Sequence, residues 1–217
     1  MALRVAYHEA LESTETDLNT LGALMLDALK YAIKAVDKLD DKLAARIIAG
    51  ADQTGYMGRR IESSCIELIW RQQPLADELR HVTAMFEISQ DLQRINYYVS
   101  DIAKHAVRLA EKPADVPTDS FREVGRVTEE NLKNAMDAFK ARDVQLARSV
   151  LAQNESYERL YGRGIRALQK AIRANTDVLP AATEMLFVLT SLQRVGEHAS
   201  SIAWHTAEML EPADGQA

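Results

Sequence analysis

One stretch of the sequence is repeated 100 residues further along the chain, and this repeat limits the folds that the chain can adopt. Residues 83–105 and 183–205 share nine identical positions, among them a Leu-Gln-Arg tripeptide. Apolar residues in both copies recur at alternating steps of three and four, the spacing of one face of a long helix. A duplicated long helix predicts two related halves. The identical pairs are Thr83/Thr183, Met85/Met185, Leu92/Leu192, Gln93/Gln193, Arg94/Arg194, Ser100/Ser200, Ile102/Ile202, Ala103/Ala203 and His105/His205.

The composition favours helices that pack through aliphatic side chains. Hydrophobic residues make up 47% of the 217 residues but aromatic residues only 6%, and the net charge is −6. This charge argues against a nucleic-acid partner. Neither a signal peptide nor a run of about 20 apolar residues is present, so we expect contact with a membrane only through partners. A single cysteine, Cys65, excludes an internal disulfide, agrees with a cytoplasmic location and is expected to be a small buried residue.

Apolar periodicity, capping residues and prolines predict six long helices in two sets of three. Asp40 and Asp41 mark the start of the second helix, and Pro74 marks the break before the third. Three glycines in the second helix predict close approach of a neighbouring helix or a partial kink. The expected helices are 3–39, 41–72, 75–111, 119–141, 143–173 and 177–210.

We therefore predict an all-α fold of two tandem three-helix bundles related by internal pseudo-symmetry. The segment 113–117 contains two prolines and is the predicted linker. The expected division of the chain is a first repeat at 1–112, the linker at 113–117, a second repeat at 118–212 and a disordered tail at 213–217.

The order of several short motifs resembles that of the PhoU family of phosphate-uptake regulators. In that family an acid, a cysteine, Gln-Pro and Asp-Leu-Arg precede Glu-Arg-Ile-Gly-Asp. This chain has Ile-Glu-Ser-Ser-Cys at 61–65, Gln-Pro at 73–74, Asp-Glu-Leu-Arg at 77–80 and Asp-Leu-Gln-Arg-Ile at 91–95. The second half has Leu-Gln-Arg-Val-Gly-Glu at 192–197, which resembles the family's second copy of that motif.

The resemblance implies both the fold predicted above and a function. PhoU-like proteins are cytoplasmic, non-enzymatic negative regulators of phosphate uptake and of the phosphate-starvation response. They are thought to act on the phosphate-specific ABC transporter, including its ATPase subunit, and on a sensor histidine kinase. The resemblance, together with the apolar stripes, also favours a homodimer.

The metal-binding motif of the family is altered in this sequence. In the family each third helix carries two acids at i and i+4, which place carboxylates on one helix face for a hard cation or iron. The first motif falls here on Gln93 and Tyr97, and the second on Gln193 and Glu197. One acid therefore remains of four, so we expect no bound cofactor. The alternative is a weak or displaced site for a divalent metal or iron, with Glu197, Asp101, Gln193 and Asp91 as ligands.

Three arginines are candidates for contacts with partners. Arg80 matches the Asp-Leu-Arg motif, and Arg94 and Arg194 persist beside the altered acids. For Arg94 and Arg194 the favoured interpretation is structural, with each guanidinium bridging helices or capping carbonyl groups. Contact with a phosphate or a partner is the alternative.

Two other functions are compatible with an all-α chain. A ferritin-like di-metal protein needs Glu-x-x-His twice, and this chain has it once, at Glu78 and His81. A helical adaptor unrelated to phosphate would keep the fold and lose the named partners.

Overall fold

The computed structural model describes residues 2–211, and within this range every regular element is helical. The prediction of an all-α fold with two sets of three helices is confirmed. None of the described helices combines the length and the apolar character that a bilayer crossing requires. The helices are α1 (Ala2–Lys38), α2 (Asp41–Gln72), α3 (Asp77–Glu111), α4 (Asp119–Ala141), α5 (Val144–Ala152), α6 (Asn154–Ala174) and α7 (Leu179–Leu210), with a 3-10 turn at Thr176–Val178.

The fifth predicted helix, expected to be continuous over 143–173, is interrupted at Gln153. The backbone N–H of Gln153 donates to the carbonyl oxygen of Val150, three residues back, at 3.1 Å. This is a tight turn of the 3-10 type between α5 and α6. Asn154 begins α6, and its side-chain oxygen accepts a hydrogen bond from Ser200 of α7 at 2.6 Å.

The links between α1 and α2 and between α4 and α5 have the same geometry. Leu39 and Arg142 both adopt the left-handed conformation, with φ values of 52° and 54°. In each link the next residue is an aspartate, Asp40 or Asp143, that accepts a hydrogen bond from a backbone N–H in the first turn of the following helix. The internal duplication is therefore present in the links as well as in the third helices.

A single hydrophobic cluster runs through both halves and contains both duplicated apolar stripes. Helices α3 and α7 pack against each other in antiparallel orientation, since Asp91 contacts His198 while Asp101 contacts Ser191. Residues 112–118, between α3 and α4, are not helical. The division into repeats at 1–112 and 118–212 stays a prediction, and the expected tail at 213–217 lies outside the described residues.

Cys65 lies on α2 and its side chain is fully buried in this core. Burial, reinforced by the nearby charge of Glu62, raises the pKa of the thiol to about 12. The thiol is therefore uncharged at neutral pH, as expected for a residue that fills the core.

Candidate functional site

The exposed positions of α3 and α7 form two matching rows, which we call the motif face. A twofold rotation that exchanges two antiparallel helices has its axis perpendicular to the plane that contains both helices. Equivalent positions of the repeated helices α3 and α7 therefore lie on the same side of that plane. Two large aromatic side chains are exposed to solvent here: Tyr97 is 61% exposed and Trp204 is 50% exposed. The motif face consists of Arg94, Tyr97 and Lys104 from α3 and of Arg194, Glu197 and Trp204 from α7.

In the first copy of the altered motif, Gln93 makes a close contact between α3 and α2. Its Nε2 atom donates a hydrogen bond to Glu62 at 2.6 Å. Its methylene chain lies against Gly58, where an added Cβ would come within 2.5 Å of Gln93 Cγ. The glycines of α2 therefore do not break the helix, and Gly58 accommodates a neighbour as expected.

Asn96, which replaces the motif glycine in this copy, adds a second contact to α2. Its side-chain nitrogen donates to the carbonyl oxygen of Ala51, and its oxygen accepts from Thr54, both at 2.8 Å. The first copy thus holds two helices together with amide side chains, one at the position of the first acid and one at the position of the glycine.

In the second copy, the motif residues face α6 and solvent. Gln193 Nε2 donates to Glu158 at 3.1 Å. Arg194 forms an ion pair with Glu197 of the same helix at 2.7 Å. The remaining acid of the motif is therefore already neutralised by its neighbour.

Gly196, the glycine of the second copy, makes room for a buried tyrosine. An added Cβ at Gly196 would lie 2.6 Å from the ring of Tyr157. The Tyr157 hydroxyl donates to the carbonyl oxygen of Leu192 at 2.8 Å and lies 2.7 Å from Thr128 Oγ1. Burial raises the pKa of Tyr157 above its ordinary value. A packing requirement therefore accounts for a glycine at this position.

Asp91 and Asp101 lie between α3 and α7 and not beside the altered motif. Asp101 accepts a hydrogen bond from Ser191 at 2.8 Å. Asp91 lies 2.8 Å from the imidazole of His198. Gln93 contacts α2 whereas Asp101 contacts α7, so the two side chains lie on different faces of α3.

The structure does not bring the four candidate metal ligands together. Gln193 and Glu197 face α6 and solvent, whereas Asp91 and Asp101 face the contact between α3 and α7. Across residues 2–211, no group of three or more histidine, cysteine or acidic side chains is placed to hold a metal ion. The weak metal site stays a prediction.

Arg80 lies in a cleft of about 560 Å³ where α1, the start of α3 and the end of α7 meet. Its guanidinium is 2.7 Å from Asp77. Next to it, His81 contacts Glu15 of α1 at 3.2 Å and Arg142, just after α4, at 3.5 Å. The histidine of the single Glu-x-x-His pattern therefore joins the two halves.

Glu15 should make the free energy of unfolding depend on pH in the acid range. Its pKa is lowered chiefly by His81, with desolvation opposing and Arg142 reinforcing the effect. A carboxyl group with a depressed folded-state pKa contributes stability above its ordinary value of 4.5, and this contribution is lost as the pH falls through the folded-state pKa. We expect Glu15→Gln to flatten the decrease of the urea unfolding midpoint between about pH 5 and pH 3. Glu12→Gln, at an exposed site one turn earlier, is the control; equal curves for both variants would contradict this role of Glu15.

The structural interpretation of the two motif arginines is not supported. Arg94 and Arg194 are both exposed, and the described ion pair of Arg194 stays within its own helix. Contact with a phosphate or a partner stays a prediction for this pair.

The polar contacts between the two halves are the feature that the sequence interpretation missed. His105 and His205 are a duplicated pair, and both point to carboxylates of the other half. His105 Nδ1 lies 2.5 Å from Glu184, and His205 Nε2 lies 3.7 Å from Asp91. Their recurrence at an offset of 100 residues was the available signal.

Known proteins match this chain over both halves. The PhoU domain model matches residues 18–106 and 121–205. The phosphate-specific transport system accessory protein PhoU homolog of Caulobacter vibrioides is 30% identical over 91% of this chain and 86% of its own length. The accessory protein PhoU of Escherichia coli is 26% identical over 90% of this chain and 81% of its own length.

Solved structures show the same architecture. The crystal structure of PhoU from Pseudomonas aeruginosa aligns with a TM-score of 0.92 and 27% identity, over 94% of this chain and 98% of that one. The phosphate transport system regulatory protein PhoU from Streptococcus pneumoniae shares the fold, with a TM-score of 0.84 over 94% of this chain and 96% of that one at 21% identity. The motifs, the duplicated three-helix plan and these matches show that this chain belongs to the PhoU family.

Proposed function

We propose that this protein is a cytoplasmic negative regulator of phosphate uptake and of phosphate-starvation signalling. The proposal rests on two observations. The PhoU domain model matches both halves of the chain, and most of the chain matches most of the length of relatives named as accessory proteins of the phosphate-specific transport system. The proposed partners are the ATPase subunit of a phosphate ABC transporter and a sensor histidine kinase. The protein reaches the membrane through these partners.

The proposed mechanism is binding and not catalysis. A regulator of this kind works because the binding of one partner changes its affinity for the other. Such a protein needs docking surfaces for its partners and no reacting groups. The motif face supports such a role, because arginine, tyrosine and tryptophan are the residue types that most often dominate binding energy at protein interfaces. Arg94, Tyr97 and Trp204 present all three on one side of α3 and α7.

A homodimer is part of the proposal. The end of α2 and the link that follows it expose two large apolar side chains, with Trp70 76% exposed and Leu75 80% exposed. Such exposed apolar side chains are candidates for a contact between subunits. Light scattering of the purified protein measures the oligomeric state directly, and a Trp70→Ser, Leu75→Ser variant tests whether these two side chains contribute.

The test of the biological role is deletion of the gene in the native host. We expect phosphate-starvation genes to be expressed in phosphate-replete cells of the deletion strain and to be repressed again by a plasmid copy of the wild-type gene. Unchanged expression in the deletion strain would contradict the regulator proposal and favour a helical adaptor unrelated to phosphate.

The test of the docking surface is a pull-down from lysate of the native host. The bait proteins are the wild type, an Arg94→Glu, Arg194→Glu variant, and a Lys170→Glu, Arg173→Glu variant with the same charge change at exposed sites on α6. We expect the wild type and the α6 variant to retain the transporter ATPase or the histidine kinase, and the motif-face variant to lose it. Equal retention by all three would remove the motif face from the proposal.

A further inference from the structure

The first half contains a cleft of about 550 Å³ where α1, α2 and α3 meet. Ligand pockets in proteins typically have volumes of roughly 300 to 1,000 Å³. Helix α3 lines this cleft with buried residues, among them Val99 and Ser100. Helix α1 contributes the exposed ring of Tyr31. The cleft therefore has the size of a small-molecule site and is lined by apolar, aromatic and polar side chains.

A glycine in the middle of α2 lies on the row of residues that lines the cleft. Leu43, Gly50 and Thr54 recur there at helical spacing. A glycine inside a helix costs about 1 kcal/mol relative to alanine. Gly58 makes room for Gln93, whereas a Cβ added at Gly50 would meet nothing within 4 Å. Packing among the described residues therefore does not require a glycine at this position, but close approach of a ligand to the backbone would.

The internal repeat shows what occupies the equivalent place in the second half. When the two link aspartates are aligned, Thr54 of α2 corresponds to Tyr157 of α6. The contacts agree with this alignment. Thr54 contacts Asn96 of α3, and the ring of Tyr157 packs against Gly196, the equivalent of Asn96. The second half therefore places a buried aromatic ring where the first half has a short side chain.

A buried serine in the cleft lacks the partner that its equivalent has. In the second half, the Ser200 hydroxyl donates a hydrogen bond to Asn154 at 2.6 Å. The equivalent serine is Ser100, which lines the cleft and is 8% exposed. Ala51 stands in the place of Asn154 and has no side-chain acceptor. The Ser100 hydroxyl is therefore available for a polar atom of a ligand.

Two charged side chains line the same cleft, Asp27 from α1 and Arg46 from α2. The described ion pairs of α2 involve Arg60 and Arg71 and not Arg46. Arginine binds acid groups through charge-assisted hydrogen bonds in a fixed planar geometry. Because Asp27 repels an acid, the acid group of a ligand should lie against α2.

We propose that this cleft binds a small ligand that carries a flat aromatic ring and an acid group. The ring takes the place that Tyr157 occupies in the second half, and the acid group lies beside Arg46. The Ser100 hydroxyl forms a hydrogen bond with a polar atom of the ligand. Binding of such a ligand requires no protein partner, so this site stands or fails separately from the proposed function.

The probe for this site is anilinonaphthalene sulfonate, which has flat rings and an acid group. Its fluorescence rises when it binds apolar surface. We expect saturable binding to the purified full-length protein. Gly50→Leu should weaken this binding by about tenfold or more, because the leucine takes the space of the rings. The variant should unfold at the same or a higher urea concentration than the wild type, since leucine is the better helix former.

The same substitution outside the cleft is the matched control. Gly162→Leu on α6 should leave the affinity unchanged, and its Cβ would first meet the far end of the Arg166 side chain. Equal affinities of the wild type and Gly50→Leu would overturn the proposal, as would an equal loss in Gly162→Leu. If Gly50→Leu does not fold, a Thr54→Tyr, Asn96→Gly variant that copies the second half decides. Unchanged affinity in that variant would overturn the proposal.

The acid group has its own test. Arg46→Gln should weaken binding of the sulfonate probe by about threefold or more and leave unchanged the binding of phenylnaphthylamine, which has the same rings without the sulfonate. Asp27→Asn should strengthen binding of the sulfonate probe, since a like charge is removed. Equal effects of Arg46→Gln on both probes would overturn the assignment of an acid group.

Competition identifies the source of the acid group. Displacement of the sulfonate probe by indole acetate would indicate an aromatic carboxylate, and displacement by adenosine monophosphate would indicate a nucleotide. Displacement by neither compound would contradict the proposed class of ligand.

Discussion

Gly196→Ala is expected to lower the free energy of unfolding by about 2 to 3 kcal/mol. Helix propensity alone predicts the opposite, a gain of about 1 kcal/mol for alanine in a helix interior. The packing effect should exceed this gain because the new Cβ would lie 2.6 Å from the ring of Tyr157. Hydrogen bonds at the Tyr157 hydroxyl and burial of its ring prevent that ring from moving aside.

Gly22→Ala is the matched control for this prediction. The atom that its Cβ would meet first is the terminal methyl group of Met136, at the end of a flexible side chain. Met136 can rotate away, so we expect a change of less than about 1 kcal/mol. Urea unfolding followed by circular dichroism measures both variants. Equal effects at the two glycines would show that the ring of Tyr157 is not a rigid neighbour.

Gln193→Glu is expected to strengthen the binding of a divalent cation beside Glu158 and Glu197. Gln193 Nε2 lies 3.1 Å and 3.3 Å from the two carboxylate oxygens of Glu158. Glu197 lies one turn along the same face of α7. A glutamate at position 193 would therefore join two others, and hard cations bind such clusters of carboxylate oxygens. We expect affinity for Mn²⁺ to rise by on the order of tenfold or more, because binding tightens with the number of charged ligands.

The internal repeat supplies the control for this variant. Gln93→Glu makes the same change in the first copy. There Gln93 contacts Glu62, and the position equivalent to Glu197 is occupied by Tyr97, which is not an acid. Two carboxylates without a third should bind Mn²⁺ no better than the wild type does. Titration calorimetry with Mn²⁺ measures all three proteins. Equal binding by Gln193→Glu and the wild type would mean that Glu158 and Glu197 cannot converge on a cation.

The helices were predictable because each buries one stripe in the shared core, so that apolar residues recur at helical spacing. The interruption of the fifth helix at Gln153 was not predictable, since neither Gln153 nor Asn154 is a helix breaker. The contact that Asn154 makes there is with Ser200, 46 residues further along the chain. Local sequence carries periodicity and capping, but it does not carry contacts between distant residues.

The candidate site shows the same limit more clearly. The loss of motif acids can be read directly from Gln93 and Tyr97, and the exposure of Arg194 follows from its position outside the apolar stripe. The partners of Asp91 and Asp101 cannot be read in this way. They depend on the antiparallel pairing of α3 with α7, which places residues about 100 positions apart in contact.

The antiparallel pairing of α3 with α7 also has a consequence for the origin of the chain. A protein consisting of one half alone would expose the apolar surface that the other half covers, and two copies would bury it by forming a symmetric dimer. Fusion of two such copies into one chain would preserve the pairing and free each side to diverge. The contacts record that divergence, since Asp101 meets Ser191 at one end while Asp91 meets two histidines at the other. Two subunits that were once identical can in this way acquire separate roles within one polypeptide.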